Sequence, residues 1–179
     1  LTNRTKISLK QACILGINAS IVELSPSSEH GSVVGEINAI ATSDQFDWLL
    51  VVNAGDEFTP QGLWMVVQGL IEAPMYRAIY ADEIYRLPDG QSEGVFRPDF
   101  NLDLLLSHPK MMAAHWVFRC DAIITLGGFD RKALTSFEFD MILRLVTEGG
   151  SEDLGHVHEP LLYCEQPALK DSPLEKEAI

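Results

Sequence analysis

The chain has 179 residues, 46% of them apolar and 22% charged, a globular composition long enough for a packed core and one that excludes a disordered chain. Lys and Arg number 13 against 26 Asp and Glu, and the net charge of −13 repels polyanions, so neither nucleic acid nor an anionic lipid surface is expected as a partner. Cys13, Cys120 and Cys164 form no C-x-x-C pair, which argues against a zinc knuckle or a disulfide framework and for a reducing, cytoplasmic setting. No apolar run approaches the ~20 residues that span a bilayer. The start at Leu1, with no signal-peptide pattern, reads as an excised or processed piece of a longer chain.

Thr2 or Asn3 caps a predicted helix reaching residue 17, with Ile7, Gln11, Ile14 and Leu15 on its inner face. Residues 19–24 (ASIVEL) read as a strand that Ser25, Pro26, Ser27 and Ser28 end. Val33, Val34, Ile37 and Ile40 mark a second helix. Residues 48–52 (WLLVV) lack polar alternation, the pattern of a parallel strand buried on both faces, and Pro60 opens the helix that follows. A strand over 77–81 leads to Pro88-Asp89-Gly90, a tight turn between antiparallel segments. A short helix over 101–106, a strand over 115–119 and a helix capped by Asp121 and ended by Gly127 and Gly128 come next. The helix over 136–147 turns Phe139, Ile142, Leu143 and Val146 inward, and 156–163 is the last strand. The alternation predicts one α/β domain over 1–166, with a mixed, mainly parallel sheet, helices on both faces, and a polar tail over 167–179. Ligands of such a sheet bind beyond the carboxyl ends of its strands.

The end of WLLVV is the first candidate site. It delivers Asn53, Asp56 and Glu57 onto a loop, and hard dications prefer carboxylate and amide oxygens; Gly55 lets the backbone approach a phosphate. The competing reading makes Asp56 a cap for the next helix. Glu138-Phe139-Asp140 is the second candidate. Carboxylates two residues apart diverge by about 200° on a helix, so one faces a cleft and the other solvent. Arg144, four residues after Asp140, has the spacing of an ion pair along the helix. Asp82 and Glu83 end a strand, where they either bind ligand hydroxyls or cap a loop. His156 and His158 share one strand face, a spacing that holds metal when a third ligand is near and is otherwise ordinary surface or core. His115 reads as exposed and, like Cys164, as isolated.

Taken in order, WLLVVNAGDEFTP, YADEIYRLPDG, FRPDFNLDLLLSHP, LGGFD, FEFDMILRL and EPLLY resemble, over about residues 31–166, the family-2 glycosyltransferases of GT-A fold, especially the bacterial O-antigen and rhamnan-type polysaccharide branch. The resemblance implies inverting transfer of a sugar from a nucleotide-diphosphate sugar to a saccharide or lipid-linked saccharide acceptor. It further implies Mg²⁺ or Mn²⁺ on the diphosphate and a cytoplasmic location, peripheral to the inner membrane through the parent protein. Asp56 falls on the metal-ligand position, with Asn53 and Gly55 beside the donor diphosphate. Glu138 falls on the acceptor base, and Asp82, Gly127, Gly128, Phe129 and Asp140 fall on acceptor-side positions.

The chain also departs from that family. The opening strand of the fold is missing, Asn53 and Gly55 replace acidic residues, and Glu138 is one methylene longer than the usual Asp. Cys164-Glu165-Gln166 replaces an ending whose His ligates the metal. These changes keep open a second reading, a degenerate, non-catalytic binding or assembly module. A nucleotidyltransferase is a weaker third, because no Gly-rich phosphate loop with a Lys is present.

Overall fold

The computed structural model describes residues 2–12, 19–24, 30–133 and 135–165. Along these residues the chain forms α1 (Thr2–Ala12), α2 (His30–Ala41), β1 (Trp48–Leu50), β2 (Glu57–Phe58) and α3 (Pro60–Glu72). The hairpin β3 (Ala78–Arg86) and β4 (Ser92–Val95) follows, then α4 (Leu102–Ser107), α5 (Pro109–Met112) and β5 (Val117–Arg119). The last elements are α6 (Cys120–Thr125), α7 (Phe137–Gly149) and β6 (Leu154–Glu165). Local chemistry sets several boundaries. Thr59 caps α3 by accepting the Gly62 N–H at 3.0 Å, with Pro60 at the first helical position, and Asn101 caps α4 by accepting the Leu104 N–H at 2.9 Å. Capping of α3 therefore falls to Thr59 and leaves Asp56 outside the helix. Asp121 stands in the first turn of α6, where Arg119 is the cap residue.

The sheet runs β1-β5-β3-β6-β2, with β4 paired to β3. Only β3 with β6 is parallel; β1 with β5, β5 with β3, β3 with β4 and β2 with β6 are antiparallel. The sheet is thus mixed, but the mainly parallel arrangement expected from the sequence is not what forms. The Pro88-Asp89-Gly90 turn forces β4 back along β3, and β5 runs against both of its neighbours. A short apolar run carries no information about the direction of its partner. β1 lies at the end of this order rather than at its centre, pairs antiparallel with β5 and is half-buried rather than the parallel strand buried on both faces that its sequence suggests. Leu49 and Val51 pack toward one apolar cluster and Trp48, Leu50 and Val52 toward the other.

Those clusters are the two faces of the sheet, each covered by helices. One joins Tyr80, Trp116, Phe118 and Leu154 to Val34 and Ile37 of α2, Ile123 of α6 and Met141, Ile142 and Leu145 of α7. The other joins Ile79, Ala81, Val117, Val157 and Cys164 to Leu9 of α1 and Leu63 and Val66 of α3. Phe139, Leu143 and Val146 pack against the first cluster as expected, while the fully buried stripe of α7 is Met141, Ile142 and Leu145.

Two expectations near the N-terminus change. Residues 19–24 form no ladder, although Ile21 and Leu24 pack against the two clusters. Ile7 is 48% exposed and Gln11 is exposed, whereas Thr5, Ser8 and Leu9 are buried; Ile14 and Leu15 lie outside the described residues. The inner face of α1 is partly polar because it meets backbone. Thr5 Oγ1 accepts the Gly55 N–H at 3.0 Å and Ser8 Oγ accepts the Phe58 N–H at 2.9 Å, satisfying buried donors that no strand reaches. Helix α1 thereby fixes the loop that carries Asp56. No helix among the described residues is long and apolar enough to cross a membrane.

Candidate functional site

Asp56 follows β1 on a self-bonded loop. Its Oδ2 accepts the Asn53 N–H at 2.8 Å, its own N–H donates to the Asn53 carbonyl at 3.1 Å, and Gly55 takes φ 120°, a conformation that favours glycine. Asp56 is buried, so the carboxylate is not open to solvent as a lone loop acid would be. Its counterpart is His115, with Nε2 3.4 Å from Asp56 Oδ2 and 3.4 Å from Asn53 Nδ2. On the other side of the ring, Nδ1 lies 2.8 Å from Glu83 Oε1. The Glu83 carboxylate also receives the Arg97 guanidinium, whose second arm donates to the Ala114 carbonyl at 2.9 Å. Cys164 Sγ lies 3.9 Å from His115 Nδ1 and 3.9 Å from Glu83 Oε2. Glu138 completes the group from the first turn of α7, its Oε1 accepting the Trp116 N–H at 3.1 Å.

Strand geometry explains how these groups meet. Tyr85 stands opposite Cys164 in the parallel pair of β3 with β6, so Glu83, two residues before Tyr85, shares a face with Cys164. Asp82 therefore points the other way. Its Oδ1 accepts the Arg97 N–H at 2.9 Å and lies 3.1 Å from His156 Nε2, away from the His115 group. His115 itself has φ 55°, the left-handed region where His is enriched among non-glycine residues. That conformation turns its ring to the buried carboxylates just before β5 begins.

The charges in this group are strongly coupled. Burial opposes charge on His115, but hydrogen bonds to Asp56, Cys164 and Glu83 outweigh it and raise the imidazole well above 6.5, which favours its imidazolium form. Burial also pushes Glu83 upward, and His115 and Arg97 overcome it to hold the carboxyl below its ordinary range. For Glu138 burial wins: its carboxyl is pushed from 4.5 up to about 7, against the opposing pull of His115 and the Trp116 N–H. Burial raises the Cys164 thiol, with His115 opposing.

The residues around Asp56 do not supply the oxygen-rich, near-octahedral shell that Mg²⁺ or Mn²⁺ prefers. Its neighbours are an imidazole, a thiol and amide nitrogen, and its Oδ2 already accepts a backbone N–H. The His115 ring already stands beside Asp56 Oδ2, at 3.4 Å.

The other expected residues fall elsewhere. Asp140 pairs with Arg144 at 2.7 Å, the ion pair along the helix that their spacing allows, and Arg144 also donates to the Leu126 carbonyl. Gly127 and Gly128 end α6 with φ 80° and 85°, and Asn38 clamps Phe129 by bonding both its N–H, at 2.7 Å, and its carbonyl, at 2.9 Å. These three residues, with Arg144, line a surface cavity of about 900 Å³ whose walls include none of Asp56, His115 and Glu138. His115, expected to be exposed, is buried, and so are Cys164, Glu83 and Arg97. Sequence reading passed over His115 and Cys164 for want of a neighbouring partner; the partners lie on other strands. Compared with known proteins, the chain matches no protein-family model and no curated protein at a significant level.

Proposed function

We propose that this chain is a glycosyltransferase-type domain acting on a nucleotide-diphosphate sugar, with Glu138 as the base that takes the acceptor's proton. One observation carries the reading: Asp56 and Glu138, delivered from distant parts of the sequence, both border the His115 ring, and the Glu138 carboxyl is held at about 7. A base is most effective when its pKa lies near the working pH. In the reaction the acceptor oxygen forms a bond to the anomeric carbon while the bond from that carbon to the diphosphate oxygen breaks. The hydroxyl proton passes to Glu138, and the electron pair leaves with the nucleoside diphosphate. His115 places an N–H donor beside the Asp56 loop, and its charge and that of Arg97 are balanced by Asp56 and Glu83.

A second reading, a binding or assembly module without turnover, is favoured by the engagement of Asp56 with Asn53 and His115. A thermal-shift panel of nucleotide-diphosphate sugars with and without Mn²⁺, followed by turnover of any sugar that stabilises the protein, separates the two. The transferase reading expects stabilisation that does not depend on Mn²⁺, because the His115 ring already stands beside Asp56, together with release of nucleoside diphosphate. Stabilisation without release selects the binding module. If no nucleotide sugar stabilises the protein, both readings fall.

A further inference from the structure

A second group of side chains lies on the opposite side of β3 from Glu83. His156 and His158 project from the same face of β6, their ring centroids 4.1 Å apart, and Asp99 from the segment between β4 and α4 stands over both. Asp99 Oδ1 is 3.3 Å from His156 Nδ1 and 3.4 Å from His158 Nε2, and the three ligand atoms all lie within 4.8 Å of one another. A tetrahedral zinc ion bound at about 2.0–2.1 Å has neighbouring ligand atoms about 3.3–3.4 Å apart, which matches both of these separations.

The surroundings of His156 point the same way. Behind His156, Nε2 lies 3.1 Å from Oδ1 of Asp82, a buried carboxylate that also accepts the Arg97 N–H. A carboxylate there can accept an Nε2–H, the tautomer that presents Nδ1 toward Asp99 as a ligand atom. A buried carboxylate that orients one imidazole nitrogen while the other faces outward is the usual support of a metal-binding histidine. Tyr80 stacks on the ring at 4.5 Å and fixes its plane.

We propose that His156, His158 and Asp99 form a surface site for Zn²⁺ or a similar borderline transition-metal dication, with Asp82 orienting His156 and the fourth position left to solvent. Two imidazoles select this class over Mg²⁺ and Ca²⁺. The ion clips the segment that follows β4 onto β6. This site is independent of the proposed transferase chemistry.

The test uses untagged protein titrated with Zn²⁺ against a chromophoric chelator, and with Co²⁺ read by visible absorption. A single Zn²⁺ per chain and a tetrahedral Co²⁺ spectrum without thiolate charge transfer are expected. His158→Ala and Asp99→Ala should each weaken Zn²⁺ binding by at least about tenfold. The side chains at these positions are 69% and 82% exposed, so both variants keep the fold, as circular dichroism will verify. Absence of binding, or wild-type affinity in both variants, overturns the proposal. A cobalt–thiolate band overturns it too, because it assigns the ion to the Asp56, His115 and Cys164 group.

Discussion

His115 Nδ1 lies 2.8 Å from Glu83 Oε1, joining the segment that leads into β5 to the middle of β3. The same carboxylate holds Arg97, so one buried anion serves two cations. Removing it strips Arg97 of its paired carboxylate and leaves His115 with Asp56 alone. Glu83→Ala is expected to destabilise the fold by about 3–5 kcal/mol, as when one partner of a buried pair is deleted. Chemical denaturation gives the value, and a loss below about 1 kcal/mol means the pair is not buried as described.

Glu138 gives stability a definite slope with pH. Its folded-state value of about 7 lies above the ordinary 4.5, so the folded chain holds a proton that the unfolded chain has lost. Its contribution is fully present below pH 4.5 and is lost as pH rises through about 7. His115, also raised, contributes stability that is present below 6.5 and is lost as pH climbs through its elevated value. Glu83, lowered, acts in the opposite sense and loses its contribution as pH falls below 4.5. Glu138→Gln should remove part of the decline between pH 4.5 and 7, a difference of up to about 3 kcal/mol. Unfolding curves at several pH values measure it, and parallel wild-type and variant profiles contradict the assignment.

Glu138 and Asp140 should also separate in catalysis. If the domain transfers sugar, Glu138→Gln preserves donor binding and lowers turnover by about 10²–10⁴-fold. Asp140→Asn breaks a half-exposed pair with Arg144, worth at most about 1 kcal/mol, and leaves turnover nearly unchanged. Steady-state rates for the two proteins decide it; a larger loss in Asp140→Asn exchanges their roles.

Two glycine substitutions test the packing that positions the Asp56 loop. Alanine is preferred over glycine in a helix by up to about 1 kcal/mol, so Gly35→Ala in α2 should stabilise, its new methyl meeting Arg131 at an ordinary 3.7 Å. Gly62→Ala in α3 should do the reverse. Its methyl would collide with the Pro160 carbonyl and come within 2.7 Å of Leu161 Cα on β6, where Thr59 also donates to Pro160. A melting temperature that does not fall in Gly62→Ala would show that α3 is not pressed against β6.

The sequence alone determined what neighbouring residues encode. The helices of α2, α3, α4 and α7, the Pro88-Asp89-Gly90 hairpin and a chain end of β1 that presents Asp56 all follow from periodicity, caps and turn residues. It also marked Asp56 and Glu138 as the acids to watch, and the spacing of Asp140 and Arg144 as a pair. What it did not hold was anything that depends on which strand lies beside which. His115 and Cys164 read as isolated until β3, β5 and β6 came together, because a buried polar residue is explained by its partners and these lie 32 and 49 residues from His115. Strand direction and the polar inner face of α1 were hidden for the same reason. Periodicity is a property of consecutive residues, whereas pairing, burial and the charge state of a buried imidazole are fixed only when distant segments are packed against one another.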